Sequence, residues 1–233
     1  MSGARAGILA GIRRGLKRGA LEGTSKAELE AGMASPNVGP VPDRSDAKAQ
    51  GLLDLFESMA TEVAATLERL PDTAAVPAAV ARYLKANNLP AELRLAPAAE
   101  LTAMPWDGEP LLTVRAGRAE PSDQVSVTGA FAGIAETGTL MLLSGAAGPT
   151  TLNFLPDNHV VVLKASDIVG PYEAAWNRLR ARDGKGAMPR TVNFITGPSR
   201  TGDIEQTILL GAHGPRRLHV LLIEDAEQPA AAD

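Results

Sequence analysis

Residues 189–225 read PRTVNFITGPSRTGDIEQTILLGAHGPRRLHVLLIED, and this stretch decides the fold. A short β-branched and apolar run at 191–195 stops at a Gly-Pro pair, and a longer apolar run follows at 218–223. Apolar runs bounded by Gly and Pro predict buried strands. We predict a helix over residues 204–210, closed by the Gly-rich loop after it. The stretch therefore reads as strand, loop, helix, loop and strand.

The two loops of this stretch carry the residue types that hold an anion. A loop that enters a helix also presents free backbone N–H groups and the positive end of the helix dipole. Arg200 can hold a carboxylate or phosphate through two hydrogen bonds, and Asp203 suits the helix start. Helix capping and surface ion pairs are the alternative roles for these side chains. The predicted ligand-binding residues are Gly197, Ser199, Arg200, Thr201, Asp203, His213, Gly214 and Arg216.

A second informative region, residues 124–144, reads QVSVTGAFAGIAETGTLMLLS. Glu136 is its one carboxylate, set among small and apolar residues. Between two buried strands it can act as an acid, a base or a nucleophile, or it can accept backbone hydrogen bonds in a turn. Both roles stay open. Thr137, Gly138 and Thr139 can form a nest for an anion.

The rest of the chain completes an α/β pattern. Apolar side chains at helical spacing predict helices over 47–70, 76–87 and 168–182, with a cap at 165–167. Short apolar runs at 93–95, 125–127, 140–143 and 159–163 predict buried strands. Strands with helices between them indicate a largely parallel sheet covered on both faces. The predicted organisation is a basic helix and linker over 1–46, one domain over 47–225 and a flexible tail over 226–233.

The first 20 residues are basic and amphipathic. They contain five basic residues and no acid, and Ile8, Leu9, Ile12 and Leu16 recur at helical spacing. A helix of this kind binds a membrane surface or a partner, or it packs on its own domain or on a second subunit. A homodimer is compatible with the second group of roles.

Composition narrows the function classes. Hydrophobic residues make up 45%, charged residues 21%, and the net charge of −4 gives no reason to expect nucleic-acid binding. The chain has no cysteine, and its three histidines show no tight ligand spacing, so we predict no metal site. We see no secretory signal and no apolar run near the roughly 20 residues of a membrane span. The expected location is the cytoplasm.

Three motifs together resemble the LUD-domain family, and within it the lactate-utilisation proteins of type C. They are AETGTL at 135–140, GPSRTGDIE at 197–205 and GAHGPRRLH at 211–219. The likeness extends over roughly residues 52–223. Gly202 stands where family members often have Ala.

The resemblance implies a Rossmann-like fold, of the type shared by sugar-phosphate isomerases, glucosamine-phosphate deaminases, CoA transferases and formyltetrahydrofolate cyclo-ligases. It also implies a role in oxidising L-lactate to pyruvate beside the iron–sulfur subunits A and B. The absence of cysteine agrees with clusters held by those partners and no cofactor in this chain.

Two hypotheses about function follow. In the first, the chain is a subunit of the lactate-oxidising system whose loops bind a carboxylate, a phosphate or a partner group. In the second, it is an autonomous enzyme of the CoA-transferase or cyclo-ligase kind, because Glu136 followed by Thr-Gly resembles the Glu-x-Gly of CoA transferases. The longer motifs favour the first hypothesis.

Overall fold

The structure of the protein is a computed structural model that describes residues 2–17, 19, 23–34, 39–46, 49–184, 187–204, 207–211 and 213–225. The chain divides into two compact units, Met1–Pro40 and Val41–Asp233. The predicted tail over 226–233 lies outside the described residues. No described helix is long and apolar enough to cross a membrane.

The secondary structure alternates between helices and strands along most of the larger unit. The α-helices are α1 (Ser2–Gly15), α2 (Gly23–Ala34), α3 (Ala49–Glu62), α4 (Val76–Ala86), α5 (Ala99–Thr102) and α6 (Tyr172–Asp183). The strands are β1 (Thr66–Leu70), β2 (Glu92–Leu95), β3 (Thr113–Ala116), β4 (Val125–Gly129), β5 (Ala132–Ile134), β6 (Thr139–Leu143), β7 (Asn158–Lys164), β8 (Ile168–Val169), β9 (Val192–Ile195), β10 (Arg200–Ile204), β11 (Thr207–Leu210) and β12 (Arg217–Ile223).

In the smaller unit, α1 confirms the predicted N-terminal helix. The apolar residues of its stripe are exposed, with Ile8 at 64% and Leu16 at 60% of full exposure. The region predicted as a basic helix and linker over 1–46 also contains α2 (Gly23–Ala34) and a single 3₁₀ turn at residues 43–45.

A parallel sheet forms the centre of the larger unit. Among the described residues it has six strands in the order β1-β12-β7-β4-β2-β3, and every neighbouring pair is parallel. Its central strands β7 and β12 are apolar over most of their length, as expected of strands covered on both faces. The predicted mostly parallel α/β fold is confirmed.

The alternating side chains of β7 show what covers each face. Val160 and Val162 belong to a first core, which contains α4 and Leu101 of α5. Val161 and Leu163 belong to a second core, formed with α3 and with Leu140 of β6. One face of the sheet is therefore covered by helices, and the other by α3 together with a second sheet.

The second sheet contains β8, β5, β6 and β9 in that order within the described part of the chain. Its pairs β5–β6 and β6–β9 are antiparallel, whereas β5–β8 is parallel. Helix α6 packs on it through Ala175 and Leu179, which lie in a third core with Ile134 and Met141. Strands β5, β6, β8 and β9, together with helix α6, thus add a mixed sheet and a helix to the parallel sheet.

The predicted helix over 204–210 is wrong. Strands β10 and β11 form an antiparallel hairpin there, with Thr201 opposite Leu209 and Ile204 opposite Thr207. The β-branched run after position 206 suits a strand, and seven residues are too few for a helical period to be distinguished from an apolar strand. The loop around Ser199 consequently does not enter a helix, and the expected helix dipole is not available to a ligand.

Two other predicted helices are too long. The helix predicted over 47–70 ends at Glu62, and the remainder is β1 after a turn in which Ala64 has a positive φ of 65°. The helix predicted over 168–182 begins at Tyr172, because 168–169 pairs with β5 as strand β8 and Pro171 precedes the first turn. Residues 165–167 form a 3₁₀ turn before β8 and do not cap the helix.

The connections that leave β2 and β4 diverge. Strand β2 leads through α5 to β3, whereas β4 leads through β5 and β6 toward β7 on the other side. These connections also run over opposite faces, since Leu101 lies in the first core and Leu140 in the second. In parallel sheets such a switch opens a crevice beyond the carboxyl ends of the strands.

A candidate ligand site between two loops

A cleft of about 260 Å³ lies where the loop after β9 meets the loop after β11. The first residues of β7 and β12 form part of its wall through His159 and Leu218. Its lining combines apolar side chains with a few polar groups, as is usual for small-molecule sites. The lining residues are Asn153, Phe154, His159, Phe194, Ile195, Thr196, Gly197, Pro198, Ser199, Arg200, His213, Gly214, Pro215 and Leu218.

Hydrogen bonds join the two loops directly. The Ser199 N–H donates to the Pro215 carbonyl at 2.8 Å, and the Gly211 N–H donates to the Ser199 carbonyl at 2.9 Å. The His213 N–H points to Ser199 Oγ at 3.4 Å. These bonds hold the two loops against each other, so the polar side chains that the loops carry lie close together.

Gly197 fits this loop for a steric reason. Its φ is +72°, and a Cβ at this position would overlap the carbonyl oxygen of Val63. The same carbonyl accepts a hydrogen bond from the Arg200 guanidinium. The loop after β9 is thereby fastened to the turn that follows α3.

Five of the predicted site residues line the cleft. Arg200 and His213 are exposed at its rim, whereas Ser199 and Gly214 are half-buried and Gly197 is buried. Arg216 does not line it: this exposed side chain lies 3.7 Å from the Asp157 carboxylate. Arg200 therefore places a positive charge at the opening, and no Asp or Glu occurs among the described lining residues.

Thr201 and Asp203 belong to strand β10, outside the lining of the cleft. Thr201 is half-buried and pairs with Leu209 across the hairpin. The Asp203 side chain lies outside the described part of the structure. Because no helix follows it, the interpretation of Asp203 as a partner for a helix dipole is wrong.

The GIAETGT segment forms the turn of the β5–β6 hairpin and does not line the cleft. Thr139 is buried, and its hydroxyl lies 2.6 Å from Thr196 Oγ1, 3.0 Å from the Tyr172 hydroxyl and 2.7 Å from Thr137 Oγ1. Gly138, with φ +62°, packs against the backbone of α3. The segment thus supports the wall of the cleft through Thr196.

Glu136 lies in the same turn. Its backbone N–H donates to the Gly170 carbonyl at 3.1 Å, and its side chain is half-buried. It lines neither the 260 Å³ cleft nor the second cleft described below. The catalytic role of Glu136 and the ligand-binding role of Thr137, Gly138 and Thr139 remain predictions.

His159 is a polar residue of the cleft that the sequence pattern did not single out as functional. It is fully buried, and its Nε2 lies 2.7 Å from Thr128 Oγ1. Burial lowers the pKa of His159 to about 3, so the ring is neutral near pH 7. Nδ1 has no hydrogen-bond partner among the described residues.

A sequence signal for this polar region exists in strand β4. Its residues VSVTG alternate, although a strand inside a parallel sheet is normally apolar on both sides. Val125 and Val127 face the first core, so Ser126 and Thr128 face the other side together with His159. Ser126 donates to the Leu152 carbonyl at 2.6 Å. Alternation in a fully covered strand indicates a polar space beside it.

A second cleft of about 200 Å³ lies at the switch point between β2 and β4. Thr128, Gly129 and Ala130 line it at the end of β4, and Asn153 lines both clefts. Arg182 also lines it, and its guanidinium lies 4.8 Å from the centre of the Phe131 ring. The Thr128–His159 hydrogen bond joins a residue of this cleft to a residue of the first.

The chain is similar to known proteins both in sequence and in structure. Residues 120–223 match the LUD domain. The chain is 32% identical to lactate utilization protein C of Shouchella clausii over 108 residues, 46% of this chain and 47% of that protein. It is 33% identical to lactate utilization protein C of Halalkalibacterium halodurans over 124 residues, 52% of each chain. The chain spans about half the length of these curated relatives.

A solved structure shares the fold over a larger part of the chain. It is the crystal structure of a DUF162 family protein from Deinococcus radiodurans, with a TM-score of 0.53 and 26% identity. The match covers 76% of this chain and 99% of that chain. It extends well beyond the 104 residues from 120 to 223 and supports the same α/β architecture.

Proposed function

We propose that the protein takes part in lactate utilisation, because residues 120–223 match the LUD domain. Within that process it acts as a subunit of a system that oxidises L-lactate to pyruvate. Two of the curated relatives that match residues of this chain carry the name lactate utilization protein C. The proposal extends that role to this chain.

The proposed division of labour places the redox groups elsewhere. A chain without cysteine offers no thiolate to an iron–sulfur cluster. The described residues also contain no group of three or more His, Asp or Glu side chains arranged to hold a metal ion. We therefore assign the clusters to the partner subunits A and B and a ligand-binding role to this chain.

The cleft between the two loops is the observation that carries this assignment. It combines apolar walls with hydroxyl, amide and imidazole groups, and Arg200 and His213 stand at its rim. A small carboxylate gains charge-assisted hydrogen bonds from such a rim without facing a carboxylate among the described lining residues. Lactate and pyruvate are small carboxylates of this class.

Gene deletion followed by growth on L-lactate tests the role. We expect growth on L-lactate to be lost and growth on an unrelated carbon source to be unchanged. The wild-type gene should restore growth.

Arg200→Ala should weaken pyruvate binding roughly 10- to 150-fold, since a hydrogen bond to a charged group contributes roughly 1.5–3 kcal/mol. Titration calorimetry of the purified chain measures this change. Arg115→Ala is the matched control and should bind like wild type, because Arg115 is also an exposed strand arginine, lies 3.7 Å from Glu92 and does not line the cleft. Normal growth of the deletion strain, in the absence of a second copy of the gene, would remove the proposed role.

Association with the partner subunits is tested separately. Co-expression of this chain with the iron–sulfur subunits A and B should give a complex that co-purifies through a tag on this chain. The complex should show the visible absorption of iron–sulfur clusters, whereas this chain alone should not. Purification of this chain without A and B under the same conditions would contradict the assembly.

The alternative of an autonomous acyl-transferring enzyme is not adopted. That chemistry needs the Glu136 carboxylate to stand over a cleft as a nucleophile. Glu136 instead lies in a hairpin turn outside both clefts. No observation of the site therefore favours this second function.

A further inference from the structure

The Thr128–His159 pair is a buried polar unit with one group left unpartnered. His159 is fully buried and Thr128 is 3% exposed, and their side chains are hydrogen-bonded at 2.7 Å. The His159 ring lines the 260 Å³ cleft, while its Nδ1 lacks a partner among the described residues. A buried polar atom without a partner is costly for folding, and a ligand that enters the cleft and hydrogen-bonds to it would offset that cost.

A comparable histidine on the opposite face shows that an unpartnered nitrogen is not sufficient by itself. His219 is also buried, and its Nδ1 lies 2.8 Å from Thr66 Oγ1, while its Nε2 lacks a partner in the described part of the chain. However, its ring stacks on Tyr83 at 4.5 Å, and it lines neither of the two clefts. His159 differs because its ring borders a cleft.

The hydrogen bond with Thr128 allows His159 to present either polarity at Nδ1. When the Thr128 hydroxyl donates to Nε2, the ring proton lies on Nδ1, which is then a donor. When Nε2–H donates to the Thr128 oxygen, Nδ1 carries a lone pair and is an acceptor. The two arrangements differ in one hydroxyl rotation and one ring tautomer, and neither requires a charged imidazole.

We propose that His159 Nδ1 contacts the oxygen on carbon 2 of a bound 2-hydroxy or 2-oxo carboxylate, so that one site recognises both forms. A 2-hydroxy group donates to the Nδ1 lone pair, and a 2-oxo group accepts from Nδ1–H. The inference rests on the proposed function and deepens it, because it states which part of the ligand lies at the wall of the cleft. In this orientation the carboxylate of the ligand lies next to the polar groups of the two loops.

The charge distribution of the cleft agrees with this orientation. Arg200 is exposed at the rim, whereas the buried part contributes the amide of Asn153 and the neutral ring of His159. Burial disfavours the imidazolium form of His159, so the wall offers hydrogen bonds without a formal charge. A ligand with a neutral oxygen beside its carboxylate matches this separation better than a phosphate dianion does.

The test is imidazole ¹⁵N NMR of the full chain with L-lactate, pyruvate or inorganic phosphate. With L-lactate we expect His159 Nδ1 to be unprotonated, and with pyruvate we expect it to be protonated. Phosphate should leave its tautomer unchanged. His219 should keep the same tautomer in all samples.

Substitutions separate the Nδ1 contact from folding. His159→Gln keeps a polar group near the Nε2 position for Thr128 and removes the Nδ1 equivalent. It should weaken binding of L-lactate and pyruvate about tenfold in calorimetry. His219→Asn is the matched control, since it alters another buried histidine on the other face of the sheet and should bind both acids like wild type.

Thr128→Val gives a second measurement if His159→Gln does not fold. It keeps the histidine but removes its partner, so the affinity ratio between L-lactate and pyruvate should change while binding persists.

Binding of both acids with an unchanged His159 signal, or wild-type affinity in His159→Gln, would overturn the Nδ1 contact and leave the proposed function standing. Binding of neither acid by wild type would overturn the contact together with the ligand assignment. Growth of the deletion strain on L-lactate reports on the proposed function independently of either result.

Discussion

His159 and His219 lie on neighbouring strands of the central sheet and face opposite sides of it. His219 pairs with Val160, one position beyond the pair formed by Leu218 and His159. Each ring is hydrogen-bonded to a threonine hydroxyl, at 2.7 Å for His159 and 2.8 Å for His219. The sheet thus buries one neutral imidazole on each face, which has consequences for stability and for the site.

The two histidines make stability depend on pH. Burial lowers the pKa of His159 to about 3 and that of His219 to about 4, and the nearby Glu68 charge offsets a small part of the effect at His219. Below the ordinary pKa of about 6.5 the unfolded chain binds protons that the folded chain does not, so stability falls as pH falls. Stability stops depending on pH through these groups once the pH is below the pKa values of the two histidines in the folded chain.

Between pH 7 and pH 5 each histidine should remove about 2 kcal/mol from the free energy of unfolding. Guanidinium denaturation at the two pH values measures the loss. The double variant His159→Gln/His219→Asn should be less stable at pH 7 but should show a clearly smaller change between pH 7 and pH 5. An equal change in wild type and double variant would contradict the assignment.

Gly138→Ala should destabilise the protein by at least about 2 kcal/mol. Gly138 has φ +62°, and a Cβ there would overlap the backbone of Met59 and Ala60 in α3. Neither the turn nor the helix backbone can move without disturbing the second core. Thermal unfolding measures the loss, and Gly145→Ala is the control, because a Cβ at Gly145 meets nothing within 4 Å.

Asp123→Asn should cost about 2–4 kcal/mol, because it leaves the nearly buried Arg94 with only the exposed Glu120 carboxylate, 3.6 Å away, as a charged partner. Arg94 donates to Asp123 at 2.8 and 3.1 Å, and their side chains are 10% and 13% exposed. Burial alone would raise the pKa of Asp123, but hydrogen bonds from Arg94 and the Glu120 N–H, with the charges of Arg94 and Arg115, lower it.

Chemical denaturation measures this loss of stability and compares it with the loss at an exposed ion pair between β2 and β3. Glu92 lies 3.7 Å from Arg115, and their side chains are 56% and 60% exposed. Glu92→Gln should therefore change stability by less than about 1 kcal/mol. Similar losses in the two variants would show that the Arg94 pair is not effectively buried.

Glu136→Gln should leave growth on L-lactate unchanged. Glu136 lines neither cleft, and the hairpin turn holds it through its backbone N–H and not through a side-chain contact that the structure shows. Complementation of the deletion strain measures the effect, with protein level checked by immunoblot. Loss of growth at normal protein level would restore the acyl-transfer hypothesis.

The local chemistry of the sequence was enough to predict most of the central sheet. The near-continuous apolar run at 218–223 predicts a strand covered on both faces, and β12 is such a strand. The helix predicted over 76–87 is α4, because its apolar spacing and the Asn pair after it leave few alternatives. The sequence also predicted polar loops around Ser199 and His213, and the structure shows that hydrogen bonds join these loops.

Tertiary contacts decided the structure of residues 207–210 and the arrangement of the cleft. The run at 207–210 is compatible with a helix turn or a strand, and its pairing with β10 selects the strand. The buried His159 is hydrogen-bonded to Thr128, which is 31 positions away. The wall of the cleft is supported by a hydrogen bond between Thr139 and Thr196, which are 57 positions apart.

The sequence by itself therefore determined which segments are apolar, where turns break them and which loops carry cations, because these properties belong to neighbouring residues. Only the tertiary structure decided that His159 borders the cleft with Nδ1 unpartnered among the described residues and that Glu136 lies outside it. Which polar groups are paired depends on the residues that folding brings together from distant parts of the chain, and no local pattern encodes that pairing.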